Sequence, residues 1–383
     1  MYGNGRTVLA PRESRGEIRA HSESELVGFI DQSLRDFTEP SLGPIAEVRD
    51  GAIAGPLASM VFASGKRIRP LFVVYGAALG GARELDGALA RVATALELFH
   101  TFALIHDDII DNAETRRGSP SLHRMYGAGA EPLPDHGEPE QQARSLAIVA
   151  GDLVLCWADM LFQAGLDGCP GARAARALFD QMKTEIMVGQ ALDICYERRL
   201  RDLTEEITSR IIEYKTARYT FLRPMQIGAA MVGATDEVID RCRHLALPLG
   251  RAFQLRDDLI GAFDDGSAGK SGTTDLECGK PTELMRYAVA AASPADVDAL
   301  LRTVGRPDMD LAEIEQVREI LITSGAVKHV TDEIEKSTSA AMRALRELGC
   351  EPWLEERLAA HLERLSVEPN ATEMYRSRIG NPV

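Results

Sequence analysis

Three aspartates close the most apolar stretch of the chain. In LFHTFALIHDDIIDNAETRRGSP, residues 98–120, Asp107, Asp108 and Asp111 are followed by the paired cations Arg116 and Arg117. On a helix, residues four apart share a face, so Asp107 and Asp111 point the same way with Asp108 about 100° round. Carboxylates crowded in an apolar setting repel one another and resist desolvation, so something positive must balance them. A hard divalent cation does this with oxygen ligands, and Mg²⁺ keeps waters that a substrate phosphate can replace. A second acidic helix end, FQLRDDLIGAFDD at 253–265, repeats the pattern with Asp257 and Asp258. A single such end can simply be a helix stopping in water. Two of them, facing each other, would make a site for several cations and a polyphosphate.

The remaining charges of such a ligand call for cations. SGKRIRP, residues 64–70, places Lys66, Arg67 and Arg69 just before Pro70, a favourable first helical residue. Three cations at a helix N-terminus oppose the macrodipole, which makes sense if an anion sits there among side chains and backbone N–H groups. Arg116 and Arg117 have the fork geometry to clamp a second phosphate-bearing group.

These residues must be held by helices, because the rest of the chain offers little else. Residues 82–111, 143–166, 205–233 and 236–263 carry apolar spacings of three and four, and no alternating strand pattern bounded by turns is found. Aromatics are only 5% of the residues, which suits an Ala/Leu-rich helical build. Pro224 and Pro248 are expected to interrupt or kink their helices. Segments 128–142 and 264–282, rich in Gly and Pro or Gly and Ser/Thr, read as loops. The expectation is an all-α fold: a loose arm over residues 1–20 and one large helical domain over 21–383.

The bulk properties bound the function. At 45% hydrophobic residues over 383 positions, the chain can bury a large core. A net charge of −15, from 43 basic and 58 acidic residues, argues against nucleic-acid or anionic-membrane binding. Six scattered cysteines without a CxxC pair read as reduced thiols, mostly in helical cores. Without an apolar signal core or a run of about 20 apolar residues, no transmembrane segment is expected, and the protein reads as cytoplasmic.

Taken in order, GKRIRP, ELFHTFALIHDDIID, RRGSPSLH, VAGD, GQALD, YKTA, FQLRDD and the GKSGTTDL…GK loop resemble the trans-isoprenyl diphosphate synthase, or polyprenyl synthetase, family over roughly residues 50–285. The resemblance implies about ten antiparallel helices around a deep cavity, usually in a homodimer. It implies that Asp107, Asp108 and Asp111, with Asp257 and Asp258, gather several Mg²⁺ ions around an allylic diphosphate. Arg116, Lys215, Thr216, Gln254 and Lys270 would contact that diphosphate, while Lys66, Arg69, His100 and Arg117 would hold isopentenyl diphosphate. Gln190 and Asp193, three apart on one helix, would support Lys215.

The implied chemistry is ionisation of the allylic diphosphate, attack by the double bond of isopentenyl diphosphate, and loss of a proton. Product length would depend on the residues below the aspartates. Phe102 lies five residues before Asp107, about 7.5 Å along a helix axis, and Ala103 four before. A large residue at only the farther position, with a compact DDIID, resembles synthases of the twenty-carbon geranylgeranyl diphosphate; the alternative is a farnesyl diphosphate synthase. One departure stands out: Gly261 occupies the place where a third aspartate is often found, with Asp264 a candidate replacement. A class I terpene cyclase would instead need Asn, Ser/Thr and Glu in its second metal motif and would have no use for GKRIRP. An inactive regulatory subunit would have lost site residues that are intact in this chain.

Overall fold

The computed structural model describes residues 16–48, 52–128, 139–263, 274–365, 375 and 377. The chain divides into two compact units, Met1–Ala177 with Pro224–Ile239, and Leu178–Arg223 with Asp240–Val383. The fold class is all-α: among the described residues the only paired strands are two of two residues each, β1 (Thr115–Arg116) and β2 (Ser119–Pro120).

The first unit is built around a central helix. α1 (Glu23–Ala46), α2 (Ala54–Val61), α3 (Ile68–Leu79), α4 (Gly87–Ile110), α5 (Leu122–Ala128) and α6 (Pro139–Leu166) follow one another, and α4 packs on all five of the others. That centrality follows from composition, since α4 is Ala/Leu-rich on every side and nearly all of it is buried from Ala88 to Ile105. Its start is fixed by Asp86, whose side chain accepts the Leu89 N–H at 2.8 Å. α1 opens with a capping box between Ser22 and Glu25. By length and composition α4 and α6 would each suffice to cross a bilayer, but 78% of the apolar window of α4 is buried inside the fold against 44% for α6. Within the segment expected to be loose, Ile18 is anchored: it is fully buried and its N–H donates to the Arg83 carbonyl at 2.8 Å. Residues 1–15 lie outside the described set.

Next come α7 (Ala172–Tyr196), α8 (Glu205–Ile211), a π-helical segment over Ile212–Leu222, α9 (Arg223–Met231) and α10 (Asp236–Phe263). α11 (Thr274–Cys278), α12 (Glu283–Ala291), α13 (Pro294–Thr303), α14 (Leu311–Thr323), α15 (Ala326–Leu348) and α16 (Pro352–Glu363) complete the second unit. The disturbance expected near Pro224 takes the form of that π-helical run just before it, whereas Pro248 is accommodated inside α10. In the second unit, α12 packs on α8, α13, α14 and α15, and α15 also on α16.

The cysteines do not form the set of core thiols read from the sequence. All six are free, but only Cys242 is buried, while Cys156 and Cys195 are exposed. Their apolar neighbours belong to other faces of the same helices: Val154 and Trp157 are buried on either side of Cys156.

Candidate active site

α4 ends at the aspartates for a local reason. Asp111 caps the helix with its N–H on the Asp107 carbonyl at 2.8 Å, and Asn112 then turns left-handed at φ 51°. Asn tolerates that region better than most residues, so the stop is written in the sequence. A short hairpin follows, with Thr115 paired to Pro120 and Arg116 to Ser119. Its two central residues, Arg117 and Gly118, both have positive φ, at 54° and 77°. That is the signature of a primed two-residue turn, for which Gly is suited and Arg is not.

The hairpin lays Arg116 across the acidic helix end. Its Nε donates to Asp108 Oδ1 at 2.7 Å, its Nη2 contacts the same oxygen, and Nη2 reaches Asp107 Oδ2 at 3.4 Å. Asp108 is only 1% exposed, while Asp107 and Asp111 are partly open. Burial alone would push the Arg116 guanidinium down, but Asp108, Asp107 and Asp111 more than offset this and hold it above its ordinary value. The first aspartate cluster is therefore two devices. Asp108 is neutralised by the chain itself, and Asp107 with Asp111 offers an oxygen face.

Two turns earlier on α4 lies a cation-rich pocket. His100 is held well below its ordinary range, first by burial and then by Arg69, Arg117, Arg116 and Arg67, so it is neutral at physiological pH. Arg69 and Arg117 thus converge on His100 as the sequence suggested, and Lys66 is exposed on the adjoining loop. Arg67 behaves differently from its neighbours in GKRIRP. It caps α3 in a left-handed conformation, φ 47°, is 3% exposed, and is bound to Asp31 Oδ1 at 2.8 Å and Glu97 Oε1 at 2.5 Å. It is a structural cation, not a free anion ligand, and Pro70 is the third residue of α3, not the first.

The second unit assembles the other half of the predicted residues. The π-helical segment approaches its neighbours closely because each presents a glycine: a Cβ on Gly189 of α7 would lie 2.5 Å from the Lys215 nitrogen, and one on Gly250 of α10 would lie 2.4 Å from the Ala217 Cα. This proximity brings Lys215 Nζ to Asp193 Oδ2 at 2.6 Å. Gln190 stands one turn before Asp193 on the same helix. Thr216 Oγ1 donates to Gln254 Oε1, and Gln254 Nε2 donates to Asp258 Oδ1 at 2.8 Å. Thr216 and Gln254 therefore aim Asp258, which is 6% exposed; Asp257 is exposed. Burial raises the Asp258 carboxyl well above the usual carboxylate range, and Asp275, Asp257 and Asp193 add to the rise.

The glycine at 261 has a physical explanation. A Cβ there would fall 2.0 Å from Asp275 Oδ2, so the carboxylate of Asp275 occupies the space that a side chain at 261 would need. Asp264 and Lys270 lie outside the described residues. Sequence reasoning passed over Glu97, Asp275 and Lys280, whose Nζ donates to Asp193 Oδ2 at 3.3 Å. All three stood inside quoted motifs, Glu97 three residues before His100 in ELFH, Asp275 in GKSGTTDL and Lys280 in the second GK.

The donor set suits magnesium. All candidate ligands are carboxylate oxygens, and among the described residues no three His, Cys, Asp or Glu side chains converge into a ready-made cage. Mg²⁺ is ordinarily held by one or two carboxylates, with waters and substrate phosphates completing its octahedron. Asp107 with Asp111, and Asp257 with Asp258, are pairs of that kind.

The polyprenyl synthetase family profile matches residues 51–321. Geranylgeranyl diphosphate synthase of Saccharolobus solfataricus is 32% identical over 350 residues, 90% of this chain and 96% of that one. Geranylfarnesyl diphosphate synthase of Aeropyrum pernix is 30% identical over 305 residues, 79% of this chain and 86% of the other. Geranylgeranyl pyrophosphate synthase of Corynebacterium glutamicum, solved with isoprenyl diphosphate and magnesium, superposes with a TM-score of 0.80 at 31% identity, covering 90% of this chain and 96% of that one. The chain belongs to the polyprenyl synthetase family.

Proposed function

We propose that this chain-elongating prenyltransferase condenses isopentenyl diphosphate with dimethylallyl, geranyl and farnesyl diphosphates and delivers geranylgeranyl diphosphate. The observation that carries the reading is the division of labour along α4. An acidic face, Asp107 with Asp111, adjoins a cationic pocket built from Arg69 and Arg117 around a neutral His100. A diphosphate that must depart needs strong charge stabilisation in the transition state, whereas one that merely anchors the nucleophile can be held by cations alone.

Asp107 with Asp111, and Asp257 with Asp258, would each hold Mg²⁺ through carboxylate oxygens. Bound Mg²⁺ supplies Lewis-acid stabilisation of the departing diphosphate. Lys215, Arg116 and Lys270 would donate to that diphosphate's oxygens, and Thr216 and Gln254 would keep Asp258 aimed. Lys66, Arg69, His100 and Arg117 would fix isopentenyl diphosphate so that its double bond attacks the allylic carbon. The C–O bond to diphosphate breaks, a C–C bond forms, and a proton is lost from the adduct to the released diphosphate. Apolar surroundings exclude water from the carbocation.

Product length rests on α4. Phe102 is 4% exposed, its ring 5.3 Å from Phe99 and 4.8 Å from His106, and the smaller Ala103 beside it is partly open. A rigid aromatic group one turn and a half below Asp107 is suited to be the floor of the chain-growth channel. The face of α6 that carries Val149, Cys156 and Met160 is exposed, Val149 at 65% and Met160 at 61%, which suits burial against a second copy in a homodimer. We read α4 and α6 as helices of the fold and not as membrane spans, with the protein in the cytoplasm.

Incubating the purified chain with isopentenyl diphosphate, Mg²⁺ and each starter, then separating the dephosphorylated alcohols, tests the whole reading. The expected product has twenty carbons; termination at fifteen would favour the farnesyl alternative, and no condensation would overturn it. Phe102→Ala should lengthen the products, and an unchanged distribution would remove Phe102 as floor.

A further inference from the structure

Glu97 is the least expected charge in the first unit. It is 2% exposed on a helix buried along nearly its whole length, yet no sequence motif explains it by chemistry. A buried carboxylate is costly unless fully compensated. Its principal partner is Arg67, which spends its donors on Asp31 through Nε at 2.8 Å, on Glu97 through Nη1 at 2.5 Å and on the Ala63 carbonyl through Nη2 at 2.9 Å. Arg117 comes to the same two acceptors more loosely, with Nη2 at 3.8 Å from Glu97 Oε1 and Nη1 at 3.3 Å from the Ala63 carbonyl. Its guanidinium lies flat on Gly65, where an added Cβ would stand 3.1 Å from Arg117 Cζ and Nη2.

Arg67 and Arg117 are both left-handed, at φ 47° and 54°. Such residues cost about 1 kcal/mol or more each and persist only where the surroundings over-determine them. Both backbones are twisted so that two arginines 50 positions apart in the chain meet one carboxylate and one carbonyl. Arg67 is consumed by this arrangement, while Arg117, with 24% of its side chain exposed, keeps donors to offer.

We propose that Glu97 is a positioning residue for the diphosphate of isopentenyl diphosphate, locking Arg67 as scaffold and holding Arg117 over Gly65 in reach of the substrate. The assignment rests on the reading that Arg117, with Lys66, Arg69 and His100, anchors that substrate. Glu97 acts through the arginines and does not touch the ligand. The sign of its effect is diagnostic. By Coulomb's law alone, removing a negative charge beside an anion pocket strengthens anion binding; by positioning, it weakens binding because the guanidinium is no longer pre-organised.

Glu97→Gln keeps the shape and removes the charge; Gly65→Ala keeps the charge and pushes the Arg117 guanidinium off its seat. Both should raise KM for isopentenyl diphosphate, by about tenfold and a few-fold, with KM for the allylic substrate and kcat within about twofold. Magnesium-free calorimetric binding of isopentenyl diphosphate should weaken in parallel. An unchanged or lower KM for isopentenyl diphosphate in Glu97→Gln, or an unchanged one in Gly65→Ala, overturns the assignment. Should Glu97→Gln fail to fold, Gly65→Ala decides alone. A wild-type chain that elongates no substrate and binds no isopentenyl diphosphate would instead bring down the underlying reading, and this assignment with it.

Discussion

The two acidic helix ends carry the same pair of letters, DD, and the fold treats them in opposite ways. At the end of α4, the buried Asp108 meets Arg116, and burial first, then the neighbouring arginines, pushes His100 and His123 down, His123 to about 4. At the end of α10, the buried Asp258 accepts from the neutral amide of Gln254, and burial first, then its carboxylate neighbours, pushes its carboxyl up. Lys215 and Lys280 are near in the fold, but both turn to Asp193. One end is neutralised by the chain's own arginine; at the other, among the described residues, the buried carboxylate is met by a neutral amide. A repeated motif can thus encode one preformed half-site and one that its ligand completes.

The largest effect that would sharpen this contrast is expected at Asp107, which is partly open and lies 3.4 Å from Arg116 Nη2. Asp107→Ala should lower kcat by about a thousandfold or more, as loss of charge stabilisation at a leaving group does. The same variant should keep its Tm within about 2 °C, because little of the fold rests on that side chain. Steady-state product formation beside thermal unfolding measures both, and near-normal turnover would break the assignment of the α4 end as the reacting one.

The next test sets the buried members of each pair against one another in metal-free protein. Asp108→Asn removes the charge that compensates a buried Arg116 and should destabilise by about 3 kcal/mol. Asp258→Asn keeps an oxygen for Gln254 and relieves the crowd of carboxylates, so it should stabilise by about 1 kcal/mol while impairing activity. Denaturant unfolding of the two variants reads the difference. Shifts of the same sign would mean that the two ends are not electrostatic opposites.

Much of this was legible from residue order. The 3.6-residue spacing gave the helices, the DD pairs gave the acidic ends, and Lys215 with Asp193 followed from the motifs that carry them. What was hidden depends on contacts across long stretches of chain. Arg67 reads like Lys66 and Arg69 until Glu97, 30 residues on, is found to hold it. Gly261 looks like a missing aspartate until Asp275 is found in its space. The π-helical run over Ile212–Leu222 has no compositional mark, because it is imposed by packing between Gly189 and Gly250 and not by local preference. Cys156 was misassigned because apolar neighbours in sequence lie about 100° apart on a helix and so describe other faces.

The last expected effect concerns pH, and it separates the two ends by slope. His123 is 2% exposed, and Ser121 Oγ, which donates to the Ala113 carbonyl at 2.6 Å, faces its Nδ1 at 3.2 Å. The ring is therefore the Nδ1–H tautomer, and a second proton would have to enter at Nε2, a buried atom with no hydrogen-bond partner among the described residues. Burial first, then Arg124 and Arg144, lowers its pKa from 6.5 to about 4. Between those values the unfolded chain binds more protons than the native one, so stability rises with pH across that window, by at most about 3 kcal/mol. Asp258 works in the other direction, because a raised carboxyl pKa makes the native state bind more protons than the unfolded one, and its contribution falls as pH rises. His123→Asn, which keeps a donor toward Ser121 but cannot be protonated, should flatten the rise of unfolding free energy from pH 4 to 6.5. Asp258→Asn should steepen it in the same measurement. Parallel slopes in the two variants would mean that neither group titrates as its surroundings require, and the contrast between a cation-rich and an anion-rich end would lose its physical basis.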